Sequence, residues 1–138
     1  MKQCRMCGCK LTEDTWYPCN KKTSNYICKT CAIVDWNKWK KRNPIKTRLN
    51  NIKGNAQLQG HEWSIPNDIG WALISSPCTY CGRIQENGNG LDRVDSNKEY
   101  TLDNVTPCCK ECNWAKNAQS VKEFKNHVTK IYKYIIEK

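Results

Sequence analysis

Apolar and polar positions divide the chain into short elements separated by turn residues. Residues from about 35 to 42 read as a basic helix bearing Trp36 and Trp39. It stops before Pro44, because a residue preceding proline is pushed out of the helical region. Asn43 and Pro44 then restart a helix, with asparagine as the cap and proline at its first position. Ile45, Leu49, Ile52 and Ala56 recur at three- and four-residue spacing, and Gly60 is a stop signal. His61 to Ile65 alternates like a short strand, and Asn67 is positioned to cap a short helix through Ser75. The glycine-rich QENGNG opens a hairpin-like stretch, GLDRVDSNKEYTLDNVTPCC. Ser120 and Glu123 form a capping box. The helix it starts has Val121, Phe124, Val128, Ile131 and Ile135 on one stripe, which predicts core packing. The chain carries no low-complexity segment.

Composition changes the picture in one respect. With 138 residues the length prior is one domain or two very small modules. Only 38% of residues are hydrophobic and there is a single Phe, so a large apolar core is not expected. Eleven cysteines point to another source of stability. No apolar run approaches the roughly 18 residues of a spanning helix. MKQCRMCGCK has no apolar signal region. A reducing compartment is therefore expected, and clustered cysteines there read as metal ligands rather than disulfides.

Eight of the cysteines fall as four pairs with two residues between them: Cys4 and Cys7, Cys28 and Cys31, Cys78 and Cys81, Cys109 and Cys112. Chance supplies roughly one such pair at this cysteine frequency. Two intervening residues make a tight knuckle whose sulfurs both reach one tetrahedral Zn2+. Nearest pairing joins Cys4/Cys7 to Cys28/Cys31 and Cys78/Cys81 to Cys109/Cys112, giving two closed structural sites. Each is worth on the order of 10–16 kcal/mol of coupled folding. Gly8 and Gly82 follow the first knuckle of each site, where positive φ suits the turn. Cys9, Cys19 and Cys108 are left over and are expected to be buried. Cys9 or Cys19 could replace an assigned ligand, and Cys108 competes with Cys109. Neighbouring residues on an extended segment face opposite ways, so only one of that last pair reaches the metal.

The formal charge is +10, or about +6 if two tetrathiolate zinc sites form. No acid lies between Asp35 and Glu62, where Lys38, Lys40, Lys41, Arg42, Lys46, Arg48 and Lys53 fall. Such a stretch suits a polyanion, nucleic acid being the commonest. The bland alternative is a solvated helix face. A membrane surface does not suit it, because the segment has no broad apolar face. In the hairpin region, the second zinc site would staple both ends together and fix the helix beginning after Cys112. Asp92 on a strand and Asn113 on that helix could then converge. An anionic and a neutral oxygen ligand suit Mg2+ rather than Zn2+.

Residues 77–128, and LDRVDSNKEYTLDNVTPCCKECNWAK most strongly, resemble the HNH, or ββα-metal, nucleases. The likeness is to the small free-standing HNH proteins of phages and mobile elements, in which a zinc ribbon and a basic helix precede the core. It implies a small, zinc-stabilised α+β protein: a ribbon over residues 1–34 with short strands between its knuckles, a basic helical DNA-contact region over 35–76, and an HNH domain over 77–138. Asp92 takes the family's first metal-ligand position and Asn113 its last. Asn104 is the middle asparagine that braces the hairpin. Lys116 matches a basic residue that can touch phosphate. The implied reaction is hydrolysis of DNA phosphodiesters with Mg2+ or Mn2+, in the cytoplasm of a bacterial host.

The sequence departs from the family at one place. The general base is normally a His directly after the first ligand, and here it is Arg93. Arginine stays protonated, and loss of a general base costs about 10²–10⁴ in rate. Asp95, two residues on, is the substitute the strand period suggests; a plain Arg93–Asp95 ion pair is the alternative, and Arg93 could itself stabilise phosphate charge. His61 and His127, the only histidines, lie outside the hairpin and read as packing or surface residues. Two functions remain open: an HNH endonuclease, or a zinc-stapled DNA-binding protein with a degenerate core. A zinc-buffering or thiol-redox protein is a third reading, which the basic stretch opposes. One metal centre cuts one strand, so monomer and homodimer both remain possible.

Overall fold

The computed structural model describes residues 1–138 and falls into two units, Met1–Asn43 and Pro44–Lys138. The three segments expected from the sequence are thus grouped in two, each built round one four-cysteine cluster.

In the first unit the chain turns at Gly8, whose φ of 76° is the left-handed conformation the knuckle needs. Its N–H donates to the Cys4 carbonyl at 2.8 Å. The short strands expected between the knuckles reduce to a single bridge, Gln3 to Lys10. A short helix, α1 (Pro18–Lys22), occupies the interval instead. Pro18 at its start favours helix, and the polar residues that follow lack strand alternation. The basic helix, α2 (Lys29–Arg42), begins earlier than expected, because Cys28 both closes the knuckle and caps it: its sulfur accepts from the Cys31 N–H. Cys4, Leu11, Trp16, Ile27 and Cys28 form the small core.

The second unit opens with α3 (Pro44–Leu58). Gly60, at φ 82°, ends it. The Gly60 N–H returns to the Gln57 carbonyl and the His61 N–H to the Ala56 carbonyl, both at 3.0 Å, which satisfies the last orphan acceptors. Next comes α4 (Asn67–Ile74), whose cap position is Pro66. Asn67 lies inside the helix rather than capping it, a correction to the sequence reading. Strands β1 (Gly90–Arg93) and β2 (Val105–Cys108) pair antiparallel, with Asp92 opposite Thr106. Then follow α5 (Lys110–Lys116) and α6 (Val121–Ile135), the latter with the expected Ser120–Glu123 capping box. Leu49, Ile65, Ile74 and Leu91 form the core that sets α3 and α4 against the hairpin. A Cβ on Gly70 of α4 would lie 2.8 Å from a Leu49 methyl, so glycine allows the two helices to meet.

The apolar stripe of α6 is not core. Phe124 alone is buried, edge-on to Tyr80 at 5.4 Å, while Val128, Ile131 and Ile135 are exposed. No helix of the chain is long and apolar enough to cross a membrane.

Each cysteine cluster has its four sulfurs within 4.8 Å of one another. Cys7 and Cys28 are 3.7 Å apart and Cys81 and Cys109 3.6 Å. A tetrahedron with metal–sulfur bonds of about 2.3 Å has edges of about 3.8 Å, so both donor sets fit zinc. Backbone N–H groups prepare the thiolates. Those of Cys28 and Cys7 bring the Cys4 thiol down to about 6. At Cys78 burial works against ionisation, but N–H groups of Cys109, Cys81 and Tyr80 outweigh it and bring that thiol also to about 6. Cys109, not Cys108, faces the second cluster; Cys108 is buried beneath it, and burial pushes its thiol up. Cys9 and Cys19 are exposed, contrary to the burial expected of all three spare thiols.

With so little apolar core, zinc should carry the fold. A strong chelator is expected to abolish the cooperative thermal transition of the zinc-loaded protein, followed by circular dichroism, and excess zinc to restore it. Ile74 has no exposed surface, so Ile74→Ala should cost about 2–5 kcal/mol of the second unit's stability in urea titrations.

Candidate active site

Asp92 occupies the third position of β1 and is 5% exposed. Its Oδ2 accepts from the Tyr80 hydroxyl at 2.8 Å and from the Lys116 ammonium at 3.2 Å. Both partners come from the second cysteine cluster. Tyr80 sits inside the Cys78–Cys81 knuckle. Lys116 ends α5, whose first turn is capped by Cys109. The tyrosine hydroxyl is pushed up, first by burial and then by its bond to Asp92, so it stays a donor. Lys116 has no exposed surface, and its Nζ also donates to the Arg93 carbonyl at 3.5 Å. That corrects the reading in which Lys116 touches phosphate: the ammonium faces inward and holds the carboxylate.

Asn113 lies one turn before Lys116 on α5, at the three-residue spacing that shares a helix side. It lines a cleft of about 480 Å³ together with Asp92, Arg93, Tyr100, Trp114 and Gln59. Asp92 and Asn113 therefore share one space. Oδ2 of Asp92 is occupied by its two donors, which leaves Oδ1 as the oxygen with no partner in the protein. A carboxylate oxygen and a carboxamide oxygen bordering an open polar cleft are the donor chemistry of a hard divalent cation. Asn104 does not line that cleft.

 Its work is internal: the Asn104 side-chain oxygen accepts from the Asp95 N–H at 2.9 Å, and its amide donates to the Asp95 and Glu99 carbonyls at 3.0 Å. It ties the two ends of the turn between β1 and β2 and so positions Asp92 and Arg93.

Asp95 does not stand where the strand period would put it. β1 ends at Arg93, and Asp95 starts the turn, where its Oδ1 accepts from the Asn97 N–H at 3.0 Å. It borders neither the cleft nor the Arg93 guanidinium, which corrects both the substitute-base reading and the Arg93–Asp95 ion pair. Arg93 instead donates from Nη1 to the carbonyls of Ser96 at 2.9 Å and Lys98 at 3.1 Å, and lies over the Tyr100 ring.

His61, which the sequence suggests is a packing or surface residue, is half-buried beside Arg93 and Glu99. The segment after α3 is zipped onto the turn by backbone bonds: the Tyr100 N–H donates to the Glu62 carbonyl and the Ser64 N–H to the Tyr100 carbonyl. This brings His61 Nδ1 to 3.5 Å from Arg93 Nη1 and 3.3 Å from Glu99 Oε2. Nδ1 thus faces the Glu99 carboxylate. No local signal marks His61, because its neighbours are set by a pairing between distant segments.

No family model matches the chain. Over 97 residues, 63% of its length, it is 32% identical to an uncharacterised protein of Acanthamoeba polyphaga mimivirus, and it spans 18% of that protein's length. Among solved structures it is similar to the rare-cutting HNH restriction endonuclease PacI, with 25% identity and a TM-score of 0.50 over 97% of this chain and 95% of that one. That likeness supports a nuclease-type function. The resemblance read in LDRVDSNKEYTLDNVTPCCKECNWAK thus extends to three dimensions and to nearly the whole chain, which has the fold of an HNH endonuclease with two four-cysteine clusters.

Proposed function

We propose that the chain is a divalent-metal-dependent endonuclease that hydrolyses phosphodiester bonds in duplex DNA. The observation that carries this is the shared cleft of Asp92 and Asn113, with Lys116 and Tyr80 holding one carboxylate oxygen and leaving the other to the opening. Asp92 and Asn113 would hold Mg2+ or Mn2+, which would supply positive charge against the phosphate and the leaving 3′ oxygen. Arg93 adds a fixed cation at the cleft wall, suited to the charge that builds on phosphate.

His61 does not itself line the cleft but lies against its Arg93 wall, 3.5 Å from Nη1, and is the base this reading assigns in place of Arg93. Glu99 holds its Nδ1 proton and so orients the ring, as a carboxylate orients histidine in other hydrolases, leaving Nε2 to take a proton from the attacking water. The anionic substrate is met by Lys38, Lys40, Lys41 and Arg42 on α2 and by Lys46, Arg48 and Lys53 on α3, none of which has a carboxylate neighbour in sequence between Asp35 and Glu62. A second reading, a DNA-binding protein without turnover, is favoured by Arg93 standing at the family's base position.

Supercoiled plasmid with Mg2+ or Mn2+ separates the two. Metal-dependent nicking should appear with the unaltered chain and vanish in Asp92→Ala and Asn113→Ala. Nicking retained in Asp92→Ala would discredit this site, and no nicking by the unaltered chain favours the binding-only reading. His61→Ala should lower the nicking rate by about 10²–10⁴ while gel-shift affinity for the same DNA stays unchanged; an unchanged rate removes His61 from the chemistry.

A further inference from the structure

The cleft at Asp92 continues along α3. An adjoining hollow of about 280 Å³ shares Gln59, Leu91, Tyr100 and Asn113 with it, and its far wall includes Arg48, Asn51 and Asn55. At about 100° per residue, positions 48, 51 and 55 fall within an arc of about 60° on α3, and Gln59 directly follows its last residue. The buried Leu49 and Ala56 lie on the other side. Leu58, 87% exposed, borders the same arc. The open face of the helix thus runs directly into the site proposed to hold the scissile phosphate.

The chemistry of this face is selective. α3 has no acid, and the face carries one guanidinium, three carboxamides and one uncovered leucine. It is also poorly suited to being a helix. Asn51, Asn55 and Gly54 each favour helix less than alanine does, and a Cβ on Gly54 would meet nothing within 4 Å, so packing does not demand glycine there. A solvated helix face has no need of these residues, whereas a face that another molecule approaches closely does.

We infer that this face of α3 is the base-reading element of the nuclease, entering the major groove beside the scissile phosphate. The inference rests on the nuclease reading above and adds its specificity. An asparagine or glutamine amide offers an adjacent donor and acceptor that match N7 and the N6 amino group of adenine. Asn51 and Asn55, one helical turn apart, read neighbouring base pairs. Leu58 meets a thymine methyl, and Arg48 pairs with the backbone phosphate beside them. The expected target has A·T pairs next to the cut.

Selection of bound sequences from a randomised duplex library tests this, with Ca2+ replacing Mg2+ so that binding is read without cutting. The unaltered chain should enrich A·T at two or more neighbouring positions. Asn51→Ala and Asn55→Ala, both on the exposed surface and both favourable to helix, should each relax the preference at one position by about tenfold. Circular dichroism confirms that the variants fold. Enrichment of no sequence, or the same A·T preference in the Asn51→Ala/Asn55→Ala double variant, overturns the inference. Selective binding by a chain that never nicks plasmid defeats the nuclease reading and leaves this one standing. Nicking with unchanged selection in the variants defeats this one alone.

Discussion

Lys116 surrenders all of its hydration to reach Asp92. Removing an ammonium and a carboxylate from water costs several kcal/mol per ion, and the pair survives only because hydrogen bonds satisfy both sides. Here the Tyr80 hydroxyl and the Arg93 carbonyl complete the arrangement. Tyr80 and Lys116 both hang on the second cysteine cluster: one knuckle contains Tyr80, and the other starts α5, which carries Asn113 and Lys116. Zinc bound by those four thiolates would set the positions of Tyr80, Asn113 and Lys116 without itself bordering the cleft. Without it, α5 has only seven residues and no independent reason to persist beside β1.

The buried pair also sets the character of the opening. Because one oxygen of Asp92 is already bonded, the carboxylate cannot rotate freely, and the group facing the cleft is defined before any ion or substrate arrives. Fixed dipoles and charges of this kind need little reorganisation to meet a cation or an anion. Arg93 is treated in a similar way. Its guanidinium is fixed by the Ser96 and Lys98 carbonyls and by the Tyr100 ring, so its charge is aimed rather than mobile.

Much of this was legible in the sequence where the signal was local. Four two-residue cysteine spacings identified both clusters, and Asn43–Pro44, Gly60 and the Ser120–Glu123 box marked helix ends. The residues of the cleft, Asp92, Arg93 and Asn113, were also visible, because the hairpin and the following helix keep their order along the chain. Failures came where long-range packing decides. Asp95 was placed by extending a strand period past the true end of β1, and Lys116 was read as a surface cation because nothing in CNWAK signals an inward-facing lysine. The contacts of His61 with Arg93 and Glu99 carry no local signal, because they depend on the Tyr100 pairing. The α6 stripe was a sound amphipathic pattern with no surface to receive it.

That unreceived stripe has its own consequence. The capping box and Phe124 anchor the first turn of α6, but Val128, Ile131 and Ile135 remain largely in contact with water. A helix of this length is marginal when its sides are bathed in water. Its far turns therefore open and re-form independently of the hairpin, trading their amide protons with solvent long before the strands release theirs.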